Sequence, residues 1–144
     1  MILPKHLAAL SAGLKIVNLE PGDPAISEAC EAYKEKWGLP ASAQPVATQW
    51  YGLARGGEKI LIVGERTRED VLEITDAYPV PGVSKRLVTA AIFGMLNIYK
   101  SLHDAGIFKK IGCSCLFGND GFRQALERVW GVPPVAVVYY AGVV

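Results

Sequence analysis

"VLEITDAYPVPGVSKRLVTAAIFGMLNIYKSLHDAG", residues 71–106, decides how this chain is put together. Residues 71–78 read as a strand, and Pro79, Pro81 and Gly82 then oppose regular structure. Residues 84–104 contain no proline, and Leu87, Ala91, Met95, Ile98 and Leu102 fall on one apolar stripe, widened by Val88, Ile92 and Tyr99. A helix of that length spans about 30 Å, enough to cross a whole sheet, and Gly106 stops it. Ser84 is the expected N-cap, with Lys85 and Arg86 in the first turn. A strand, a Pro-Gly loop and a basic helix start form an arrangement that attracts anions, because the first N–H groups of a helix lack partners. A capped turn with two solvated basic residues explains the same letters.

Downstream, residues 108–117 read as a strand, Gly118 to Gly121 as a loop, and Phe122, Ala125, Leu126, Val129 and Trp130 as the apolar side of a short helix. A strand at about 135–140 follows. Upstream, residues 3–12 suit a short helix and residues 14–19 a strand. Asp23 and Pro24 then open a helix over 24–36 that carries Ile26, Ala29, Cys30, Tyr33 and Trp37 at helical spacing. After a loop at 38–47, segments 48–55 and 59–66 flank Gly56-Gly57-Glu58 and form an antiparallel meander with 71–78. The unbroken apolar run 60–63 predicts a strand covered on both faces. The order β-α-β-β-β-α-β-α-β predicts an α/β (α+β) fold: one mixed sheet, helices on both faces, and a right-handed parallel crossover made by the long helix. It predicts a single domain over 1–144, residues 1–13 being an N-terminal extension.

The chain has 144 residues, with 15 basic and 14 acidic side chains and a formal charge of +1. That balance argues against nucleic acid or an anionic membrane as partner. The apolar run 88–96 is broken by Thr89 and Gly94, short of the roughly 20 residues of a membrane span. The opening residues lack the pattern of a signal peptide. Three cysteines without one favour free thiols and a cytoplasmic location. Cys113 and Cys115 share one face of a strand, which suits small core residues; no Cys-x-x-Cys or His-rich pattern accompanies them, so no metal is expected. His103 sits in the last turn of the long helix, where a protonated imidazole favours the negative end.

The element order, together with "LKIVNLEPGDPAI", "VLEITDAYPVP", "LHDAGIFKKIGCSC" and "GNDGFRQALERVWGV", resembles the GNAT superfamily of acyl-CoA-dependent N-acetyltransferases. The resemblance runs from Leu14 to the C-terminus. It implies acetyl-CoA as co-substrate, bound in an opening between the fourth and fifth strands, with the pyrophosphate on the turn after the fourth. It assigns that turn to Val80, Gly82, Val83, Ser84, Lys85 and Arg86, and matches Asn119 to an asparagine near the pantetheine arm. It makes Glu73 the base for the attacking amine; a solvated face or an ion pair is the plainer reading of that residue. Asp76 would face away from Glu73 in a regular strand. The family's Arg/Gln-x-x-Gly-x-Gly/Ala pattern is incomplete, for Leu87 stands where a small residue is usual, and Leu126 aligns with the tyrosine that protonates the leaving thiolate. Tyr139 and Tyr140 lie nearby in sequence. Two functions stay open: acetyl transfer to a small-molecule or peptide amine, or a non-catalytic GNAT-fold protein that binds a protein partner, of the kind found among phage and prophage proteins. Tyr33, Trp37, Trp50 and Tyr51 either line an acceptor pocket or fill the core.

Overall fold

In the computed structural model, which describes residues 13–113 and 119–131, five strands and three helices form one mixed sheet with helices on both sides. The strands are β1 (Leu14–Leu19), β2 (Gln49–Arg55), β3 (Glu58–Arg68), β4 (Val71–Pro79) and β5 (Lys110–Cys113). The helices are α1 (Pro24–Trp37), α2 (Lys85–Asp104) and α3 (Asp120–Trp130). The strands lie in the order β1-β2-β3-β4-β5; every neighbouring pair is antiparallel except β4 and β5, which run parallel. The meander and the single parallel crossover through α2 thus match the pattern of the letters. The helix expected over 3–12, the strand at 135–140, the remainder of the strand reaching 117, and Cys115, Tyr139 and Tyr140 lie outside the described residues.

Local chemistry sets the helix ends. Asp23 accepts the Ala25 N–H at 2.9 Å, Pro24 takes a position that needs no N–H, and Gly38 closes α1 with φ 64°. Ser84 Oγ accepts the Leu87 N–H at 3.3 Å, so the serine lies just outside α2 as its cap. Gly106, at φ 73°, ends α2 beside an Ile107 N–H to Leu102 carbonyl bond of 3.0 Å.

Two apolar layers sandwich the sheet. Tyr51, Leu53, Leu61, Val63, Leu72 and Ile74 face α2 and α3, where Met95, Ile98, Tyr99 and Leu126 are fully or nearly fully buried. Leu19, Trp50, Ile62 and Tyr78 face α1 through Ile26, Ala29 and Cys30. Strand β3 is therefore covered on both sides, as its apolar run requires. Gly64 continues it because nothing larger fits: a Cβ there would lie 2.6 Å from Ala47 Cβ and 2.9 Å from the Trp50 ring. No helix among the described residues is long and apolar enough to cross a membrane.

The register departs from a regular ladder once in β4. Gly64 pairs with Asp76 and Glu65 with Ile74, leaving Thr75 as an extra residue. Glu73 pairs with Arg66, two positions from Gly64, so Glu73 and Asp76 share the α1 face. The expectation that they face apart is corrected here, and the bulge at Thr75 is the cause.

Candidate functional site

The turn between β4 and α2 gathers six of the eight expected site residues. Val80 is tied to the sheet by its N–H bond to the Ile60 carbonyl at 2.9 Å, and Val83 closes the turn with a 3.3 Å bond to the Val80 carbonyl. Gly82 between them has φ +85°, a conformation that glycine adopts without strain. Gly82, Ser84, Lys85 and Arg86 are exposed, Val80 and Val83 half-buried. Helix geometry leaves the first N–H groups of α2 without intrahelical acceptors, and its first turn holds no acidic residue. Lys85 and Arg86 there are slightly unfavourable against the positive helix end and become favourable beside an anion.

Glu73 lies elsewhere. It stands six positions before the end of β4, roughly 20 Å from the turn along an extended strand. Its carboxylate is 4% exposed as a residue and receives Arg66 Nε at 2.9 Å on one oxygen, with Arg68 Nε at 3.0 Å and Nη2 at 2.9 Å on the other. The ion-pair reading of Glu73 is the one this geometry supports. Asn119 caps α3, its side chain accepting the Phe122 N–H at 3.2 Å. Leu126 is 1% exposed and packed into the core under α2.

Beside Glu73 on the α1 face, Asp76 accepts Thr75 Oγ1 at 2.8 Å and the Tyr78 hydroxyl at 2.5 Å. Burial lifts its carboxyl above the ordinary aspartate value, and burial together with the Asp76 bond pushes the Tyr78 phenol up.

The opposite face holds a second polar group, which the sequence reading did not single out. Glu65 on β3, 1% exposed, accepts the Tyr99 hydroxyl on Oε2 at 2.5 Å. Tyr51 Oη lies 2.8 Å from Tyr99 Oη. Since Tyr99 spends its proton on Glu65, Tyr51 is the donor in the second bond, and the chain runs from β2 through α2 to β3. Burial raises both phenols well above the usual tyrosine range, so they remain neutral donors. Over Tyr51 and Glu65 opens a depression of about 340 Å³, rimmed by Asn18, Glu20, Gln49 and Trp50. Trp50 and Tyr51 are thus both core and pocket lining.

No protein-family model and no curated protein matches this chain. Its chemistry is therefore read from its own side chains. One signal did mark the missed group: Tyr99 sits within the apolar stripe of α2, and a buried phenol needs a hydrogen-bond partner.

Proposed function

We propose that this domain is a GNAT-like N-acetyltransferase that moves an acetyl group from acetyl-CoA to an amine. The observation that carries the reading is the β4–α2 connection: a glycine at positive φ, a serine cap, two exposed basic residues and a helix start with no acidic side chain. These suit a pyrophosphate, which would accept from the unpaired N–H groups and from Lys85 and Arg86. Among the described residues, β4 and β5 pair in parallel from Val71 and Lys110 to Ile74 and Cys113, and β4 runs on to Pro79. An opening for the pantetheine arm would lie between those two strands, beyond the Thr75 bulge.

In the reaction, the lone pair of a neutral amine attacks the thioester carbonyl carbon. The C–S bond breaks, coenzyme A leaves as its thiolate, and the amine's surplus proton passes to a base. Glu73 would take that proton only after releasing Arg66 or Arg68, since both of its oxygens are engaged. Leu126 has no proton to give the thiolate, so that proton must come from another group or from solvent. These two observations favour a second reading, a GNAT-fold protein that binds without catalysis.

Thermal denaturation with acetyl-CoA, joined to a colorimetric assay of thiol release over a panel of amines, separates the readings. A ligand at 100 times its Kd stabilises the native state by about 2.7 kcal/mol. The enzyme reading expects a rise in Tm together with amine-dependent thiol release, and a much smaller rise in the Lys85→Ala/Arg86→Ala variant. Stabilisation without thiol release from any amine selects the binding protein. No rise at millimolar acetyl-CoA overturns the acetyltransferase, and an undiminished rise in the double variant overturns the phosphate turn.

A further inference from the structure

We propose that Tyr78 is a redox-active site: a radical oxidant at the surface draws one electron from it through a relay of rings, Trp37 and Tyr33, while its proton passes to Asp76. The inference rests on side chains between α1 and the sheet and stands apart from acyl transfer.

The rings form a continuous row. Tyr33 lies 6.3 Å from Trp37 and 5.0 Å from Tyr78 between ring centroids, and Trp50 follows at 6.2 Å from Tyr78. Tyr33 and Trp37, four residues apart, share one face of α1. Tyr78 and Trp50 meet that face from β4 and β2. Trp37 and Tyr33 are half-buried, whereas Tyr78 is buried. The row therefore leads from the surface to a phenol in the core. Aromatic rings in contact pass an electron more readily than saturated side chains, because their π electrons are the ones most easily removed.

Charges at the two ends give the row a direction. The Lys36 ammonium lies 5.5 Å from the centroid of the Trp37 ring, and a positive charge there disfavours an electron-deficient indole. Asp76 does the reverse at Tyr78. Its carboxylate accepts the Tyr78 hydroxyl on one oxygen at 2.5 Å and Thr75 Oγ1 on the other at 2.8 Å. A phenol that loses an electron becomes a strong acid, so a base already bonded to it can remove the proton in the same event. Burial raises the Asp76 carboxyl above its ordinary value and so favours the acid form that results.

The step balances. A peroxyl or other high-potential radical gains one electron from Trp37, and the Trp37 cation radical regains it from Tyr78. The Tyr78 O–H bond breaks, its proton joins Asp76 Oδ1, and a neutral phenoxyl radical remains. A soluble thiol or ascorbate then supplies one electron, and Asp76 returns the proton. The α2 side provides an internal control. Tyr99 also donates to a carboxylate, that of Glu65 at 2.5 Å, but among the described residues no ring contact leads from the surface to Tyr51 or Tyr99.

The test uses the whole chain without any acyl donor, so its outcome does not depend on acetyl-CoA. Photogenerated tris(bipyridine)ruthenium(III) serves as the oxidant, and freeze-quench electron paramagnetic resonance identifies the radical. A neutral tyrosyl radical is expected, forming more slowly in D₂O than in H₂O. Tyr78→Phe should reduce its signal at least tenfold, and Tyr99→Phe should leave it unchanged. Because Tyr78→Phe alters the core, Asp76→Asn provides a second arm: its amide oxygen still accepts the hydroxyl but cannot take the proton, so radical formation should slow at least tenfold. Trp37→Phe removes the entry ring and should slow it comparably. A tryptophan radical alone, a signal that persists in Tyr78→Phe, an equal loss in Tyr99→Phe, or an unchanged rate in Asp76→Asn or Trp37→Phe each overturns the proposal.

Discussion

Glu65 and Glu73 stand one rung apart in the β3–β4 ladder, where Glu65 faces Ile74 and Arg66 faces Glu73. Both are almost wholly buried, yet they point to opposite faces of the sheet. On the α1 side, two guanidiniums grip both oxygens of Glu73. On the α2 side, Glu65 receives a neutral phenol that is itself backed by another phenol. A burial cost that both carboxylates share is met in two ways. The first locks charge against charge and produces a rigid joint between adjacent strands. The second fixes the carboxylate through a chain of two phenols that ties β2, α2 and β3 together inside the core.

The contrast is tested most strongly by making the same substitution on each side. Glu73→Gln leaves Arg66, mostly buried, facing an amide in place of a charge, and a loss of about 2–3 kcal/mol is expected. Arg68 contributes less because it is largely exposed and screened by solvent. Glu65→Gln keeps an oxygen for the Tyr99 hydroxyl, so it should change stability by about 1 kcal/mol or less. Urea denaturation of the two variants checks this. Equal losses would show that the two carboxylates are held alike, and the comparison would fail.

How much of this could be read from the letters follows from the range of each interaction. The caps at Asp23 and Ser84, the stop at Gly106 and the stripe of α2 depend on neighbours within a turn or two, and the pattern of residues reveals them. The parallel crossover is legible because a 20-residue helix between two strands leaves few other paths. The Thr75 bulge is not legible: "EITDAY" alternates well enough to read as a regular strand, and only the pairing with Gly64 and Glu65 shows the extra residue. That one residue moved Asp76 to the face of Glu73. The Glu65–Tyr99 bond joins residues 34 apart in sequence, and the Tyr51–Tyr99 bond residues 48 apart. Each tyrosine reads separately as core material, and the carboxylate that binds them lies two residues past the apolar run 60–63, within the segment 59–66 read as a strand.

A smaller effect sharpens the α2 side. Tyr99→Phe removes the donor to Glu65 and the acceptor for Tyr51 together, at an expected cost of about 2 kcal/mol, while Tyr51→Phe removes only the end of the chain and should cost about 1 kcal/mol. If the three groups act as a unit, the two losses will not add in the double variant, which isolates their coupling. Additive losses would mean that the hydroxyls are satisfied independently.

The smallest expected effect belongs to the α1 side and appears as a dependence on pH. Burial raises the Asp76 carboxyl above the ordinary value of 3.8, against the opposing pull of its bonds from Tyr78 and Thr75 and of the nearby Arg66. The native state therefore holds this proton more tightly than the unfolded chain does. Between 3.8 and the raised native value the unfolded state binds fewer protons, so stability falls as pH rises through that window. The contribution is fully present below 3.8 and is lost above the native value. Asp76→Asn has no proton to release there, so its denaturation midpoint should gain on the wild type as pH is raised from acid towards neutral. Parallel midpoints for the two proteins across that range would place Asp76 in surroundings as favourable to its charge as water.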